Sequence, residues 1–156
     1  PINQVTQKIK KKMIVNKIKR ISEFYKKFLG FKPNIAVTGL NTHCETFAGK
    51  NIEKTEIIPA INALKNKKIK VLGPFPADTI FLKKNRAKFN VIVGMYHDQV
   101  LTPMKTLFEY DAINITLGLP IIRISPDHGP NESMLGKNKS NPLSLLKAIN
   151  FLDKLK

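Results

Sequence analysis

Apolar positions recur along the chain with two periods, and these periods predict alternating helices and strands. Apolar side chains spaced by three to five residues predict amphipathic helices over 4–29, 53–65 and 142–155. Short runs rich in β-branched and apolar residues predict strands over 34–40, 70–72, 90–96, 112–116 and 121–125. The alternation of the two element types predicts an α/β protein with layered packing.

Polar clusters follow two of the predicted strands. Tyr96-His97-Asp98-Gln99 follows the run VIVGM, and Asn41-Thr42-His43-Cys44-Glu45 follows NIAVTGL. If the two strands are parallel neighbours, both histidines emerge at the sheet edge where α/β proteins bind ligands. Two imidazoles with water or a further ligand suit a divalent metal ion. The alternatives are two unrelated loop histidines, or a polar turn in which Asp98 caps the next helix.

A second group of residues is suited to anions. Lys105, Asn114 and Arg123 could converge on a phosphate or carboxylate, although each is individually more typical of a surface. His128 lies in Asp127-His128-Gly129, a tight turn in which glycine permits a close approach to a ligand. The glycine patterns of the Rossmann fold and of the P-loop are both absent from the sequence.

Composition limits the function classes. The net charge is +16, but lysine, asparagine and isoleucine are abundant together, which indicates compositional drift and a solvated lysine face on the first helix. A nucleic-acid partner is therefore not expected, although the positive field favours phosphorylated or carboxylated small molecules. The single cysteine, Cys44, excludes an internal disulfide framework and fits the reducing cytoplasm. A partly buried thiol is the simplest interpretation of Cys44, and no apolar run approaches membrane-spanning length.

Six segments, in this order along the chain, resemble the 4-hydroxythreonine-4-phosphate dehydrogenase family. They are VTGLNTHCE (37–45), IIPAI (57–61), GPFPADTIF (73–81), MYHDQVLTPMK (95–105), INITLGLPIIRIS (113–125) and DHGPNESMLGK (127–137). The resemblance implies a layered α/β/α fold of the isocitrate/isopropylmalate dehydrogenase-like type, incomplete in this chain. The chain resembles a C-terminal portion. Residues 1–98 would form a metal- and substrate-binding and dimerisation lobe. Residues 99–156 would return to an NAD-binding lobe whose N-terminal half is absent.

The resemblance also implies an activity. Members oxidise 4-phosphooxy-threonine with NAD(P)+ and a divalent metal ion (Zn, Mg or Co) to 2-amino-3-oxo-4-phosphooxybutanoate. That product decarboxylates to 3-amino-2-oxopropyl phosphate in vitamin B6 biosynthesis. The family's active site lies at the interface of a homodimer. Because the chain resembles only a C-terminal portion, it is expected to be inactive alone and to expose apolar surface around 112–125, where the missing half should pack.

The family's functional residues map onto positions of this sequence. The metal ligands correspond to His43 and His97, and a third histidine belongs to a Thr-His motif expected just upstream of Pro1. The resemblance assigns catalysis to His97, Asp98 and Lys105, substrate binding to Lys105, Asn114 and Arg123, and cofactor binding to Asp127, His128 and Gly129. The chain departs from the family at Thr42, where proline is common, and in a loop one residue shorter, where Glu45 takes the place of the family glutamate.

Two other classes of function remain open from the residues alone. A basic, non-catalytic nucleic-acid-binding module would bind in a salt-dependent manner that His97→Ala leaves unchanged. A phosphate acyltransferase-like enzyme on a related scaffold would need neither metal nor NAD.

Overall fold

The computed structural model describes residues 2–44, 49, 51–129 and 132–155, and its elements alternate between helices and short strands. The helices are α1 (Val5–Lys8), α2 (Lys11–Phe28), α3 (Ile58–Lys65), α4 (Ala77–Ile80), α5 (Lys83–Arg86), α6 (Asp98–Phe108) and α7 (Leu143–Asp153). The strands are β1 (Ile35–Thr38), β2 (Val71–Phe75), β3 (Val91–Val93), β4 (Ile113–Thr116) and β5 (Arg123–Pro126). The predicted α/β class is confirmed.

The chain divides into two compact units, Pro1–Leu101 (unit 1) and Thr102–Lys156 (unit 2). Unit 1 contains a three-stranded parallel sheet in the order β2-β1-β3. Unit 2 contains a two-stranded antiparallel sheet of β4 and β5. None of the described helices is both long enough and apolar enough to cross a membrane.

The central strand of unit 1 is buried along its whole length. All four residues of β1 are buried, and Ile35 pairs with Val71 on one side and with Val91 on the other. A parallel strand covered on both faces reads as a continuous apolar run, which is why this segment shows no alternation. The carboxyl ends of three strands consequently lie along one sheet edge.

Two helices cover the core of unit 1. Ile14 and Ile18 of α2 and Ile61 and Leu64 of α3 are at most 5 % exposed and belong to one apolar cluster with β1. Full burial of each such side chain contributes about 1.5–3 kcal/mol. This cluster fixes the strands from which the polar loops emerge.

The helix predicted over 4–29 is interrupted. Ile9 and Lys10 have extended backbones, with ψ of 109° and 141°, so α1 ends at Lys8 and α2 begins at Lys11. Ile9 is only 2 % exposed, and the Lys11 N–H donates to Glu56 Oε2 at 2.6 Å. The start of α2 is therefore supported by a residue distant in sequence, which the periodicity alone does not reveal.

The helix predicted over 53–65 is divided as well. A π-helical turn, Glu53–Ile57, precedes α3, and Pro59 lies in the first turn of α3, where its missing N–H needs no partner. The sequence after Gly73-Pro74-Phe75-Pro76 predicts Asp78 or Thr79 as a helix cap, but both residues lie inside α4 and this prediction is wrong. Pro76 precedes α4, and no side chain donates or accepts a capping hydrogen bond there.

The hairpin of unit 2 has two different faces. Asn114 pairs with Ser125 and Thr116 pairs with Arg123, so these four polar side chains share one face. Three isoleucines and Pro126 alternate with them and occupy the opposite face. The second strand begins at Arg123, two positions later than the sequence predicts, because Ile121 and Ile122 remain outside the paired segment.

The last helix, α7, buries a different side from its apolar stripe. The sequence predicts Leu145, Leu146, Ile149, Leu152 and Leu155 as its apolar positions, but Ser144 and Ala148 are the residues that are buried. Leu146 is 52 % exposed. Small side chains let α7 approach the hairpin closely, and Ser144 donates to the Ala112 carbonyl group and accepts from the Asp127 N–H.

Candidate functional site

Two polar loops leave the same edge of the unit 1 sheet. β1 and β3 are parallel neighbours, as the metal-site hypothesis requires. His43 lies in the turn after β1, and His97 lies between β3 and α6; both side chains are exposed. The structure therefore brings the two loops that carry the candidate metal ligands to one edge. Glu45, the predicted carboxylate beside His43, lies outside the described residues.

The ring of His97 is held by the next residue. His97 Nδ1 and Asp98 Oδ1 are 2.7 Å apart, and both side chains are largely exposed. With Nδ1 donating to a carboxylate, Nε2 is the nitrogen left for a ligand, as is usual for metal-binding histidines. Asp98 also lies in the first turn of α6, where the helix dipole favours a negative charge. The Asp98 side chain therefore contacts the His97 ring, and Asp98 is the first residue of α6 rather than the capping residue before it.

A buried glutamine, Gln99, joins the ends of β1 and β3. Its Nε2 donates to the Gly39 carbonyl oxygen at 2.9 Å. Its Oε1 accepts from Thr38 Oγ1 at 2.9 Å and from the Met95 N–H at 2.7 Å. The sequence interpretation treated Gln99 only as part of a polar tip. Its burial could not be inferred from the segment, because the adjacent polar side chains of His97 and Asp98 are exposed.

A buried carboxylate holds the turn that leads to His43. Glu53 is fully buried, and its Oε1 accepts from the N–H groups of Leu40 and Asn41 at 2.9 and 2.8 Å. Its Oε2 accepts from Asn41 Nδ2 at 2.6 Å. Sequence reasoning missed this residue, although its spacing from Ile57 and Ile61 places it on the buried helical stripe. A carboxylate on an apolar stripe was the signal that could have identified it.

Cys44 closes the same turn. Its φ is +55°, and burial raises the pKa of its thiol. The carboxylates of Glu53 and Asp78 raise that pKa further, whereas a hydrogen bond from the Gly39 backbone opposes them. A Cβ at Gly39 would lie 2.5 Å from Cys44 Sγ, so a side chain at position 39 would require the thiol to move. A raised pKa favours the protonated thiol and agrees with a partly buried rather than a nucleophilic cysteine.

The donor set fits part of a divalent metal site. Two imidazoles suit Zn²⁺ or Co²⁺ better than Mg²⁺, which prefers oxygen ligands. Among the described residues, no group of three or more His, Cys, Asp and Glu side chains is arranged to hold a metal ion. A catalytic zinc site commonly has three protein ligands. The two histidines therefore fit such an ion as a partial set.

In unit 2, the candidate lysine and the candidate aspartate contact each other. Lys105 Nζ lies 2.9 Å from Asp127 Oδ2 and also donates to the Asp127 carbonyl oxygen. The Asp127 N–H donates to Ser144 Oγ at 2.9 Å. The sequence interpretation assigned Lys105 to the substrate and Asp127 to the cofactor. The two positions are adjacent in the fold.

Asn114 and Arg123 lie on the polar face of the hairpin. Both side chains are exposed, and Arg123 Nη1 donates to Thr116 Oγ1 at 2.9 Å. Thr116, which the sequence interpretation did not single out, thereby orients the guanidinium group. Its place in the alternation Asn114–Thr116 was the available signal.

A cavity of about 750 Å³ lies within unit 2. Its walls include Lys105, Tyr110, His128, Gly129 and Asn141. Ligand pockets typically occupy about 300–1,000 Å³. Two of the three candidate cofactor residues, His128 and Gly129, therefore line a space large enough for a sizeable part of a small-molecule ligand.

Comparisons with known proteins find relatives of this chain. The chain is 42% identical to a 4-hydroxythreonine-4-phosphate dehydrogenase from Sulfurihydrogenibium sp. over 159 residues, covering 100% of this chain and 48% of the relative. The dehydrogenase of the same name from Bradyrhizobium diazoefficiens is 42% identical over 145 residues, covering 92% of this chain and 42% of that protein. A crystal structure of the Klebsiella pneumoniae protein of this name superposes with a TM-score of 0.83 at 31% identity, covering 100% of this chain and 48% of that one.

The extent of the similarity is as informative as its level. The chain spans about half the length of the relatives that it matches. The dehydrogenase-like α/β fold expected from the sequence is shared with the solved structure, of which this chain likewise covers about half. The sequence profile described as "Pyridoxal phosphate biosynthetic protein PdxA" matches residues 1–152. The chain therefore belongs to the PdxA family of pyridoxal phosphate biosynthetic proteins.

Proposed function

We propose that this chain forms part of a metal-dependent 4-hydroxythreonine-4-phosphate dehydrogenase in vitamin B6 biosynthesis. The observation that carries the proposal is the parallel pairing of β1 and β3, which delivers the His43 and His97 loops to one sheet edge. The family's relatives carry the dehydrogenase name. Residues 1–98 would form the metal and substrate lobe, and 99–156 would complete the cofactor lobe.

His43 and His97 would hold the divalent ion. Asp98 fixes the ring of His97 through Nδ1, so that Nε2 is left to the metal. The ion, when bound, polarises a substrate hydroxyl group and stabilises the negative charge that develops on its oxygen.

Three side chains of unit 2 would bind the anionic substrate. The guanidinium group of Arg123, oriented by Thr116, is suited to bidentate binding of a phosphate or carboxylate. Asn114 lies on the same face of the hairpin and can donate from its amide. Lys105 carries a charge that Asp127 now neutralises, so an incoming anion would compete with that carboxylate for the Lys105 ammonium group.

The unit 2 cavity is our candidate for the cofactor. His128 and Gly129 line it, and Asp127 precedes them. NAD(P)+, when bound, accepts the hydrogen and electron pair released by the oxidised alcohol. The Gly129 backbone allows a close approach because no side chain stands in the way.

A second polypeptide segment is part of the proposal. Unit 2 exposes Ile121 and Leu119, together with the apolar stripe of α7. Such a surface is suited to protein contact, and the chain spans about half of its relatives. We propose that this surface packs against a segment equivalent to the other half of the relatives.

We also propose that the complete enzyme is a homodimer with its active site at the interface. The single cysteine supports a cytoplasmic location.

Reconstitution tests the proposed activity. The chain is mixed or co-expressed with the half of a relative that it does not match, and NADH or NADPH formation from 4-phosphooxy-threonine is measured with Zn²⁺, Co²⁺ or Mg²⁺. We expect no activity from the chain alone and metal-dependent activity from the pair. His97→Ala should abolish that activity, because it removes a metal ligand.

Lys26→Ala, an exposed change on α2, is the control and should retain full activity. If the reconstituted pair that carries His97→Ala kept its full turnover, the assignment of His97 as a metal ligand would be contradicted. Phosphate acyl transfer without metal or nicotinamide would replace the dehydrogenase proposal. If salt-dependent nucleic-acid binding were the sole activity, the chain would instead be a basic, non-catalytic nucleic-acid-binding module.

A further inference from the structure

Gln99 occupies an unusual place beneath the candidate metal edge. The residue is 9 % exposed, whereas the side chains of its neighbours His97 and Asp98 are 77 % and 70 % exposed. A buried amide is costly unless its polar atoms are paired, and Gln99 pairs both ends. Its hydrogen bonds are therefore made inside unit 1, beneath the exposed loop that carries His97.

The partners of Gln99 fix its amide in one orientation. The Gly39 carbonyl group can only accept a hydrogen bond, and the Met95 N–H can only donate one. A flipped amide would place two donors together and two acceptors together. The Thr38 hydroxyl group, fully buried, supplies the remaining donor. The amide therefore acts as a rigid bridge rather than as an adaptable surface group.

The bridge joins two strands where their own pairing stops. The ladder between β1 and β3 ends at the pair Val37–Val93. Beyond that pair, the Gln99 side chain connects Gly39, on the segment leading to His43, with Met95, on the segment leading to His97. One buried amide thus ties together the backbones that lead to both candidate ligands.

The rest of the β1 turn is held by a second buried group. Glu53 accepts the N–H groups of Leu40 and Asn41, directly after Gly39. Glu53 thus holds the turn after β1. The hydrogen bonds of Gln99 to Gly39 and Met95 then set the position of that turn relative to the segment that leads to His97. Loss of that link should change the spacing of the ligands more than it changes either turn.

We propose that Gln99 is a positioning residue that sets the separation of His43 and His97 for a single divalent ion. The inference rests on the proposed function, because it needs those histidines to be ligands. Residues that orient metal ligands typically change metal affinity about 10- to 100-fold when they are mutated. An amide that served only stability would alter unfolding and leave the affinity of the folded chain intact.

The test compares Zn²⁺ affinity with stability in the 156-residue chain. Affinity is measured by competition with a chromogenic chelator, and stability by urea unfolding. Gln99→Met preserves side-chain length but removes all three hydrogen bonds, and we expect about a 10-fold loss of affinity. Ile61→Val, a core truncation in α3, is the matched control and should lower stability while leaving affinity unchanged.

A second pair of variants removes a single bond of the bridge. Thr38→Val deletes the hydroxyl group that donates to Gln99, and Thr38→Ser retains it. We expect weaker Zn²⁺ binding for Thr38→Val and near-original binding for Thr38→Ser. This pair decides the question if Gln99→Met fails to fold.

The outcomes separate the two levels of the account. A loss of affinity in Gln99→Met or Thr38→Val that the Ile61→Val control does not reproduce supports the positioning role. Unchanged affinity in those variants, together with weakened binding in His97→Ala, overturns the inference and leaves the proposed metal site. Unchanged binding in His97→Ala overturns the metal site and the inference with it.

Discussion

The two units of this chain bury very different kinds of surface. In unit 1, Ile18, Ile35 and Leu64 are at most 1 % exposed, and β1 is covered on both faces. In unit 2, the described buried positions are Ser144 and Ala148, whereas Leu146 and Ile149 remain about half exposed. A two-stranded sheet is marginal unless further elements cover it. Unit 1 has a core of its own, and unit 2 presents a surface suited to a partner.

The same difference separates the candidate sites. The exposed histidines of unit 1 lie on loops whose backbones are secured by the buried side chains of Glu53 and Gln99. The candidate anion ligands of unit 2 depend on an exposed hairpin and on the partly exposed pair of Lys105 and Asp127. Buried hydrogen bonds hold geometry more firmly than exposed ion pairs. We therefore expect substitutions beneath the unit 1 site to have larger structural effects.

The largest expected effect is a loss of stability when a buried leucine of unit 1 is truncated. Leu64→Ala, at a fully buried position in α3, should lower the free energy of unfolding by about 2–5 kcal/mol in urea denaturation. Leu146→Ala, at a half-exposed position in α7, is the matched control and should cost less than about 1 kcal/mol because it leaves little cavity. Equal losses would remove the distinction between the units.

The next largest effect concerns the buried carboxylate. Glu53→Gln replaces an acceptor that satisfies three donors with an amide that brings donors of its own, and should cost about 1–3 kcal/mol in stability. Glu23→Gln, on the exposed side of α2, should change stability by no more than about 0.5 kcal/mol. If Glu53→Gln left the free energy of unfolding unchanged, the turn after β1 would have to be held by other contacts.

A smaller effect is expected at the ion pair of unit 2. Lys105→Met should alter the free energy of unfolding by at most about 1 kcal/mol, because the pair is partly solvated and screened. The reconstituted enzyme should nevertheless lose affinity for its phosphorylated substrate, which steady-state kinetics would detect as a raised KM. A loss of stability as large as that of Leu64→Ala would mean that unit 2 has a rigid core after all.

The smallest effect at neutral pH concerns Tyr25 of unit 1. Burial raises the pKa of its phenol above the usual value of about 10, and its hydroxyl group donates to the Asn90 carbonyl oxygen at 3.3 Å. A raised folded-state pKa gives stability that is present below the unfolded pKa and is lost as pH rises through the folded value. Ultraviolet titration of the chain against Tyr25→Phe should place the Tyr25 midpoint above that of the urea-unfolded chain. A midpoint at or below that of the unfolded chain would contradict its burial.

Much of unit 1 could be predicted from the sequence, for identifiable reasons. The run around Ile35 has no alternation because a central parallel strand is buried on both faces, and the strand-end histidines follow from the same topology. The break at Ile9 and Lys10 could not be predicted, since the start of α2 is supported by Glu56, 45 residues away in sequence. Tertiary contacts of this kind leave no periodic trace.

The buried polar residues show a second limit of sequence reasoning. Gln99 and Ser144 are hydrophilic and were not expected inside, yet each is buried because it pairs backbone groups that no neighbouring strand or helix satisfies. The apolar stripe of α7 gave the opposite error, because residues predicted to be buried are exposed. Its leucines are exposed in this chain, so the apolar pattern did not identify the face of α7 that is buried.

The most direct test of the account is a double-mutant cycle on Zn²⁺ binding at the sheet edge. Zn²⁺ affinity is measured for the original chain, His43→Ala, His97→Ala and the double variant, with His128→Ala as an exposed histidine control from unit 2. If both side chains hold one ion, each single change should weaken binding at least about 10-fold, and the second change should add little further loss. Independent, additive losses, or binding that only His128→Ala weakens, would contradict a shared site at the ends of β1 and β3.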